Sequence, residues 1–270
     1  MKSDTASQLG HILFLPHGGG PLPLLGDPGH RHLIGFLQEI TPFLGQPSAI
    51  LVISAHWEEA IATVTHGENP ALIYDYYGFP EAAYQIRYPA PGSPALADKI
   101  FQLLNLNGIE ARLDSERGFD HGLFVPLKIM YPAADIPCVQ LSLLRSMDPA
   151  AHVRIGKALS PLRRENVLIL GSGFSFHNLK AFFAPTNGTP DLKNEAFEEW
   201  LIDSCTSPNL SAEERETRLI RWREAPFASY CHPREEHLLP LHVCLGLSDA
   251  PARLAFSGDV SGKRASAFLW

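Results

Sequence analysis

Five of the chain's twelve histidines stand in settings that chemistry can use. His17 lies in Pro16-His17-Gly18-Gly19-Gly20-Pro21, where three glycines remove side-chain bulk and let a ligand approach the backbone. Neither G-x-G-x-x-G nor G-x-x-x-x-G-K-[ST] fits that loop, so it is not a phosphate cradle of either kind. His56 ends an apolar run in Ser54-Ala55-His56-Trp57-Glu58. His121 sits between glycines in Gly118-Phe119-Asp120-His121-Gly122. There Asp120 either caps a helix running through Leu123, Val125, Leu127 and Ile129, or leaves His121 to handle protons. His177 follows Gly171-Ser172-Gly173-Phe174-Ser175-Phe176, which begins like a G-x-S-x-G nucleophile elbow but ends in histidine, so a serine hydrolase loses its most specific residue.

His237 belongs to Tyr230-Cys231-His232-Pro233-Arg234-Glu235-Glu236-His237-Leu238-Leu239-Pro240-Leu241-His242. Pro233 and the acids after it suit the first turn of a helix, on which His237, Leu241 and Cys244 would share a face. This is not H-E-x-x-H, because Glu236 directly precedes His237 and no histidine follows four residues on. His232 and His242, with His11, His30, His32, His66 and His152, read as surface or packing residues. Taken together, two strand-end histidines and a helix histidine suit a metal, leaving His177 and His121 for proton transfer. Imidazoles with few carboxylates favour Zn or Fe over Mg or Ca. A three-ligand facial arrangement leaves positions open for substrate and oxygen, which is oxygenase chemistry or, with zinc, water activation.

These residues need a scaffold. Short apolar runs bounded by turn signals predict strands over 11–16, 49–54, 137–141 and 166–170, with more amphipathic candidates over 84–88 and 252–256. Ser93-Pro94 and Asp148-Pro149 each pair a cap residue with a first-turn proline, and Gly108 closes the first of these helices. Further helices are predicted over about 32–43, 192–205, 212–222 and 234–245, so strands and helices alternate as in an α/β sandwich. His17, His56 and His177 would then leave three strands at their carboxyl ends, where ligand sites of open α/β sheets gather. If those strands are parallel neighbours, the three side chains converge.

Composition narrows the classes. Apolar residues at 45% and charged residues at 19% are ordinary globular usage, and 270 residues with no fixed repeat or long polar linker read as one domain over 1–270. The net charge of -7, from 22 Lys and Arg against 29 Asp and Glu, gives no footprint for nucleic acid. Cys138, Cys205, Cys231 and Cys244 form no C-x-x-C pair and read as reduced cytoplasmic thiols. Neither an export signal nor a membrane span is visible.

HGGGPLPLLGDPGH, ISAHWE, GFDHGLFVPL, GSGFSFHNL and HPREEHLLPLHV, in this order, resemble the signature segments of class III extradiol ring-cleaving dioxygenases of the LigB type, most closely the DOPA dioxygenase-like branch. The resemblance runs nearly end to end and implies an α/β three-layer sandwich, with a central mixed sheet and helices on both faces. It implies a non-haem metal held by His17, His56 and His237, with His177 as the acid/base beside the substrate and His121 lining the same pocket. The activity implied is meta ring opening of a catechol, DOPA-like or other, with both atoms of O2 incorporated. Protocatechuate-type relatives have a glutamate where His237 stands, whereas the DOPA dioxygenase-like branch resembles this chain. Three neutral ligands accept Zn(II) as readily as Fe(II), so Fe(II) is expected for activity and Zn(II) as a possible bound metal, in which form His177 could swing in as a fourth ligand. A zinc hydrolase and a non-enzymatic binding protein on the same scaffold are the alternatives.

Overall fold

The computed structural model of the protein describes residues 9–182 and 189–270. Within them lies one mixed sheet of eight strands: β1 (Ile12–Pro16), β2 (Ala49–Glu59), β3 (Ala62–Thr65), β4 (Ala111–Asp114), β5 (Cys138–Leu144), β6 (Val167–Gly173), β7 (Arg253–Val260) and β8 (Lys263–Leu269). Their order is β4-β3-β5-β2-β6-β1-β8-β7. The four central strands β5, β2, β6 and β1 are mutually parallel, while β8 joins β1, and β3 joins β5, antiparallel. β1, β6 and the first seven residues of β2 are buried throughout, as their unbroken apolar runs require of strands covered on both faces.

β6 shows the two covers residue by residue. Ser172 turns to one face, where its hydroxyl donates to the carbonyl of Gly122 in the helix His121–Met130. Gly171 and Gly173 turn to the other, against the helix Leu239–Gly246 and the turn before it. A Cβ on Gly171 would lie 2.5 Å from the Cys244 sulfur, and one on Gly173 would lie 2.2 Å from the His237 carbonyl oxygen. Glycine stands at both places because another backbone occupies the room a side chain needs.

Five of the six predicted strands form, with β2, β5, β6 and β7 running past the predicted ends. The stretch 84–88 differs: Glu81–Gln85 winds into a 3-10 helix, and Ile86 gives its carbonyl to the Tyr74 hydroxyl rather than to a neighbouring strand. The capped helices begin as expected, with Ser93 accepting from Leu96 N and Asp148 from Ala150 N. All four cysteines are free and buried. Among the described residues no helix is long and apolar enough to cross a membrane.

Packing of this kind makes a contrast that thermodynamics can read. Gly173→Ala is expected to cost about 1–3 kcal/mol of unfolding free energy by overpacking. Gly35→Ala, in the helix Arg31–Leu44 with nothing described within 4 Å of the added atom, is expected to stabilise by about 0.5–1 kcal/mol. Urea midpoints of the two variants against the parent check both signs.

Candidate metal centre

The sheet register brings the carboxyl ends of three strands to one edge: Pro16 of β1 lies opposite Gly173 of β6, and Ser54 of β2 opposite Ser172. His17 follows β1 directly, its N–H donating to the Gly173 carbonyl at 3.1 Å. His56 does not follow its strand but lies inside β2, where the register with β5 shifts between Ile53 and Glu58. Such an irregularity re-aims side chains without ending the strand. His237 departs further from expectation. The helix predicted from 234 begins only at Leu239, because Pro240 lacks an N–H and is tolerated in the first turn alone. His237 therefore sits in the turn ahead of the helix and has no helical face in common with Leu241 and Cys244.

Nε2 of His17 and Nε2 of His56 lie 3.0 Å apart, and ligand nitrogens of His17, His56 and His237 all fall within 4.8 Å of one another. His17 is 1% exposed and His237 5%. Desolvation, then repulsion from the neighbouring imidazoles, holds His17 and His56 well below the ordinary histidine range and His237 down to about 3. The three rings are neutral at pH 7. Their outer nitrogens face oxygens: Nδ1 of His17 is 3.0 Å from Ser172 Oγ, Nδ1 of His237 is 2.9 Å from Glu236 Oε1, and Nδ1 of His56 is 3.8 Å from Asp75 Oδ2. Since the Ser172 hydroxyl donates to Gly122, its oxygen is left to accept from His17. A proton on Nδ1 of His17 and of His237 puts a lone pair on Nε2 of each, while His56, 3.8 Å from Asp75, has no hydrogen bond that fixes its tautomer. Three imidazole nitrogens within 4.8 Å of one another, two of them 3.0 Å apart, fit a divalent metal, of the Zn or Fe kind by donor type.

His121 and His177 join the same centre, so all five predicted histidines come together. The His121 ring lies 3.9 Å from that of His56, and its Nδ1 and backbone N–H both bond Asp75 Oδ1, at 2.8 and 3.0 Å. The His177 ring stacks on that of His237 at 3.4 Å, with Nδ1 3.0 Å from Glu236 Oε1. Burial alone would raise the pKa of Asp75 and Glu236, but their histidine bonds outweigh it and both are lowered. Asp120 starts the helix His121–Met130 without a side-chain cap bond; its carboxylate accepts instead from Ser54, Gln140 and Arg117.

Sequence reading missed Asp75, which stands in a tyrosine-rich stretch without a spacing signal, and read Glu236 only as a first-turn acid. It also placed His30 among surface or packing residues. His30 is buried, accepts from Gly19 N–H at 2.9 Å and bonds Asp27 at 2.7 Å, pinning the glycine loop behind His17. His152, His232 and His242 are buried posts bonded to backbone groups. Among the aromatic side chains, Tyr76 meets His121 edge-on at 5.7 Å, whereas Tyr77 is 92% exposed, Phe119 and Phe174 are core, and Trp57 lies under the Arg117 guanidinium. Arg234 forks onto both oxygens of Glu58 at 2.6 Å.

Residues 11–260 match the family described as the catalytic LigB subunit of aromatic ring-opening dioxygenase. The chain belongs to the LigB family. It is 39% identical to dioxygenase tasH of Hapsidospora irregularis, over 95% of this chain and 84% of that one. It is 40% identical to 4,5-DOPA dioxygenase extradiol of Beta vulgaris, over 86% of this chain and 85% of the relative. The crystal structure of the uncharacterized protein JW3007 from Escherichia coli K12 superposes with a TM-score of 0.77 at 32% identity, covering 96% of this chain and 98% of that one. Within the family the chain falls in the DOPA dioxygenase-like branch of class III extradiol dioxygenases. These are metal-dependent enzymes that act on a small molecule and O2.

The buried imidazoles also dictate a pH dependence. His17, His56, His152, His232, His237 and His242 are all lowered, chiefly by desolvation, to about 4 for His152 and about 3 for His232 and His237. Below about pH 6.5 the unfolded chain binds protons that the folded chain refuses. Their contribution is complete above that pH and is lost as pH falls toward the folded values. Burial raises Glu198 to about 7 and also raises Asp120, which oppose the trend but are fewer. In chelator, the protein is expected to lose stability between pH 7 and pH 5, at about 1.4 kcal/mol per pH unit for each net proton. Urea unfolding at the two values checks this, and a flat profile would contradict it.

Proposed function

We propose that the chain is an extradiol dioxygenase that opens a catechol ring, in one catalytic domain over 1–270, with Fe(II) held by His17, His56 and His237. The observation that carries this reading is the set of three neutral imidazoles converging at the sheet edge, in a chain 40% identical to a 4,5-DOPA dioxygenase extradiol. Fe(II) held by these three histidines would supply Lewis acidity toward the catechol and one-electron chemistry toward O2. The chain's own residues do the rest. His177, whose Nδ1 lies 3.0 Å from Glu236 Oε1, has Nε2 to take a proton from a catechol hydroxyl and later return it. His121, fixed by two bonds to Asp75, is placed to hydrogen-bond a substrate oxygen as charge develops there. The loop Gly18 to Gly20, pinned by His30, keeps side chains out of the way of a flat ring.

The first test is oxygen uptake by protein reconstituted anaerobically with Fe(II), against a panel of catechols that starts with DOPA, beside a Zn(II)-loaded sample. Uptake matched by a yellow semialdehyde in the iron sample alone is expected; none with any catechol at full iron occupancy would sink the reading and favour zinc-dependent hydrolysis. His237→Ala is expected to lose stoichiometric metal while staying folded, by metal analysis and circular dichroism. His177→Ala is expected to keep the metal and lose about 10²–10⁴ of turnover, and a near-parental rate would remove it from proton transfer.

A further inference from the structure

One oxygen of Glu236 serves two histidines. Oε1 lies 2.9 Å from Nδ1 of His237 and 3.0 Å from Nδ1 of His177, and the two rings stack with 16° between their planes. The segments that carry them are tied by three bonds: Phe174 N–H to the His237 carbonyl at 2.9 Å, His232 Nε2 to the Ser175 carbonyl at 2.8 Å, and His177 N–H to the Cys231 carbonyl at 2.9 Å. An ionised carboxylate only accepts: His237 meets it in a hydrogen bond, and His177, at ion-pair distance from the same oxygen, avoids repulsion there by presenting Nδ1–H rather than a lone pair. The bond at one ring nitrogen sets the state of the other, which leaves both Nε2 atoms with lone pairs.

Apart from these histidines, no described side chain holds the carboxylate by a hydrogen bond. Its second oxygen, Oε2, is buried with no hydrogen-bond partner among the described residues, and lies 3.6 Å from an Arg234 nitrogen. Asp75 on the opposite flank differs: it bonds His121 at 2.8 Å but stands 3.8 Å from His56, beyond hydrogen-bond reach. Resting on the metal-site reading above, we infer that Glu236 is a positioning residue that sets the tautomer and direction of His237 and His177 together. Metal binding and proton transfer then depend on one side chain. A metal ligand is oriented by an acidic neighbour in many sites, but here the same oxygen also orients a histidine outside the ligand set.

The test uses the Zn(II)-loaded protein, with histidine tautomers read from long-range ¹H–¹⁵N spectra and Zn(II) affinity from chelator competition. In the parent, His177 and His237 are both expected as Nδ1–H; His177 found as Nε2–H would overturn the inference without any variant. Glu236→Ala is expected to lower Zn(II) affinity about 10–100-fold and to release His177 into a tautomer mixture at full zinc occupancy. Glu236→Gln, which keeps an accepting oxygen, is expected to retain more of the Nδ1–H form than alanine does. If affinity falls but His177 stays Nδ1–H in the alanine variant, Glu236 supports the metal ligand alone and the shared role is wrong; should that variant not fold, the parent spectrum still decides. None of these readouts involves a catechol or O2. Failure of ring cleavage would therefore count against the proposed reaction and leave this inference to stand or fall separately.

Discussion

Two imidazole nitrogens, Nε2 of His17 and Nε2 of His56, are held 3.0 Å apart, close enough to share a proton or a cation, and much of the chain is arranged around keeping them there. The constraint is imposed from behind. Ser172 holds the outer nitrogen of His17 and Glu236 that of His237, each by an acceptor that cannot be exchanged for water because it is buried. Removing solvent from His17 and His237 makes protonation of those rings costly, which leaves their lone pairs to a neutral hydrogen-bond donor or to a divalent cation. Burial thus selects the ligand state before any ligand arrives.

The sheet makes this arrangement possible by letting backbones come unusually close. β6 alternates Gly171, Ser172, Gly173: the serine reaches one face to fix His17, and the glycines on the other admit the Pro240 and His237 carbonyls. A bulkier pair there would push the His237 segment outward and carry Glu236 with it. The same logic holds at Gly122, where an added Cβ would lie 2.5 Å from Ser54 Oγ and 3.2 Å from the His56 ring. Three histidines from β1, β2 and the 232–238 turn can meet only because small residues line the seams between them.

That logic explains what was legible in the sequence. The central strands announce themselves because parallel strands covered on both faces are apolar runs, and the strand-end histidines follow from their position along those runs. β3 and β4 are four residues each and β8 reads Lys-Arg-Ala-Ser-Ala-Phe-Leu, too short or too mixed to show a period. His237 was legible as a member of the histidine cluster but not as a turn residue, because apolar spacing of three and four continues through a segment where Pro240 forbids the helix to extend backward. Asp75 and Glu236 owe their roles to partners 46 and 59 positions away, His121 and His177, and no local pattern encodes such a pairing.

The charge arrangement gives these distant pairings their chemical sense. Three neutral ligands leave the full charge of a divalent ion uncompensated within the ligand set, unlike a set that includes a carboxylate. Here the two nearest acids, Asp75 and Glu236, stand one side chain further out and are held ionised by the histidines they bond. An ion bound at the imidazoles would feel their field without having a coordination position filled by them. A carboxylate moved from the ligand set to the layer behind it therefore serves two ends at once: it keeps charge near the centre, and it leaves its oxygen to hold the histidines whose direction the chemistry depends on.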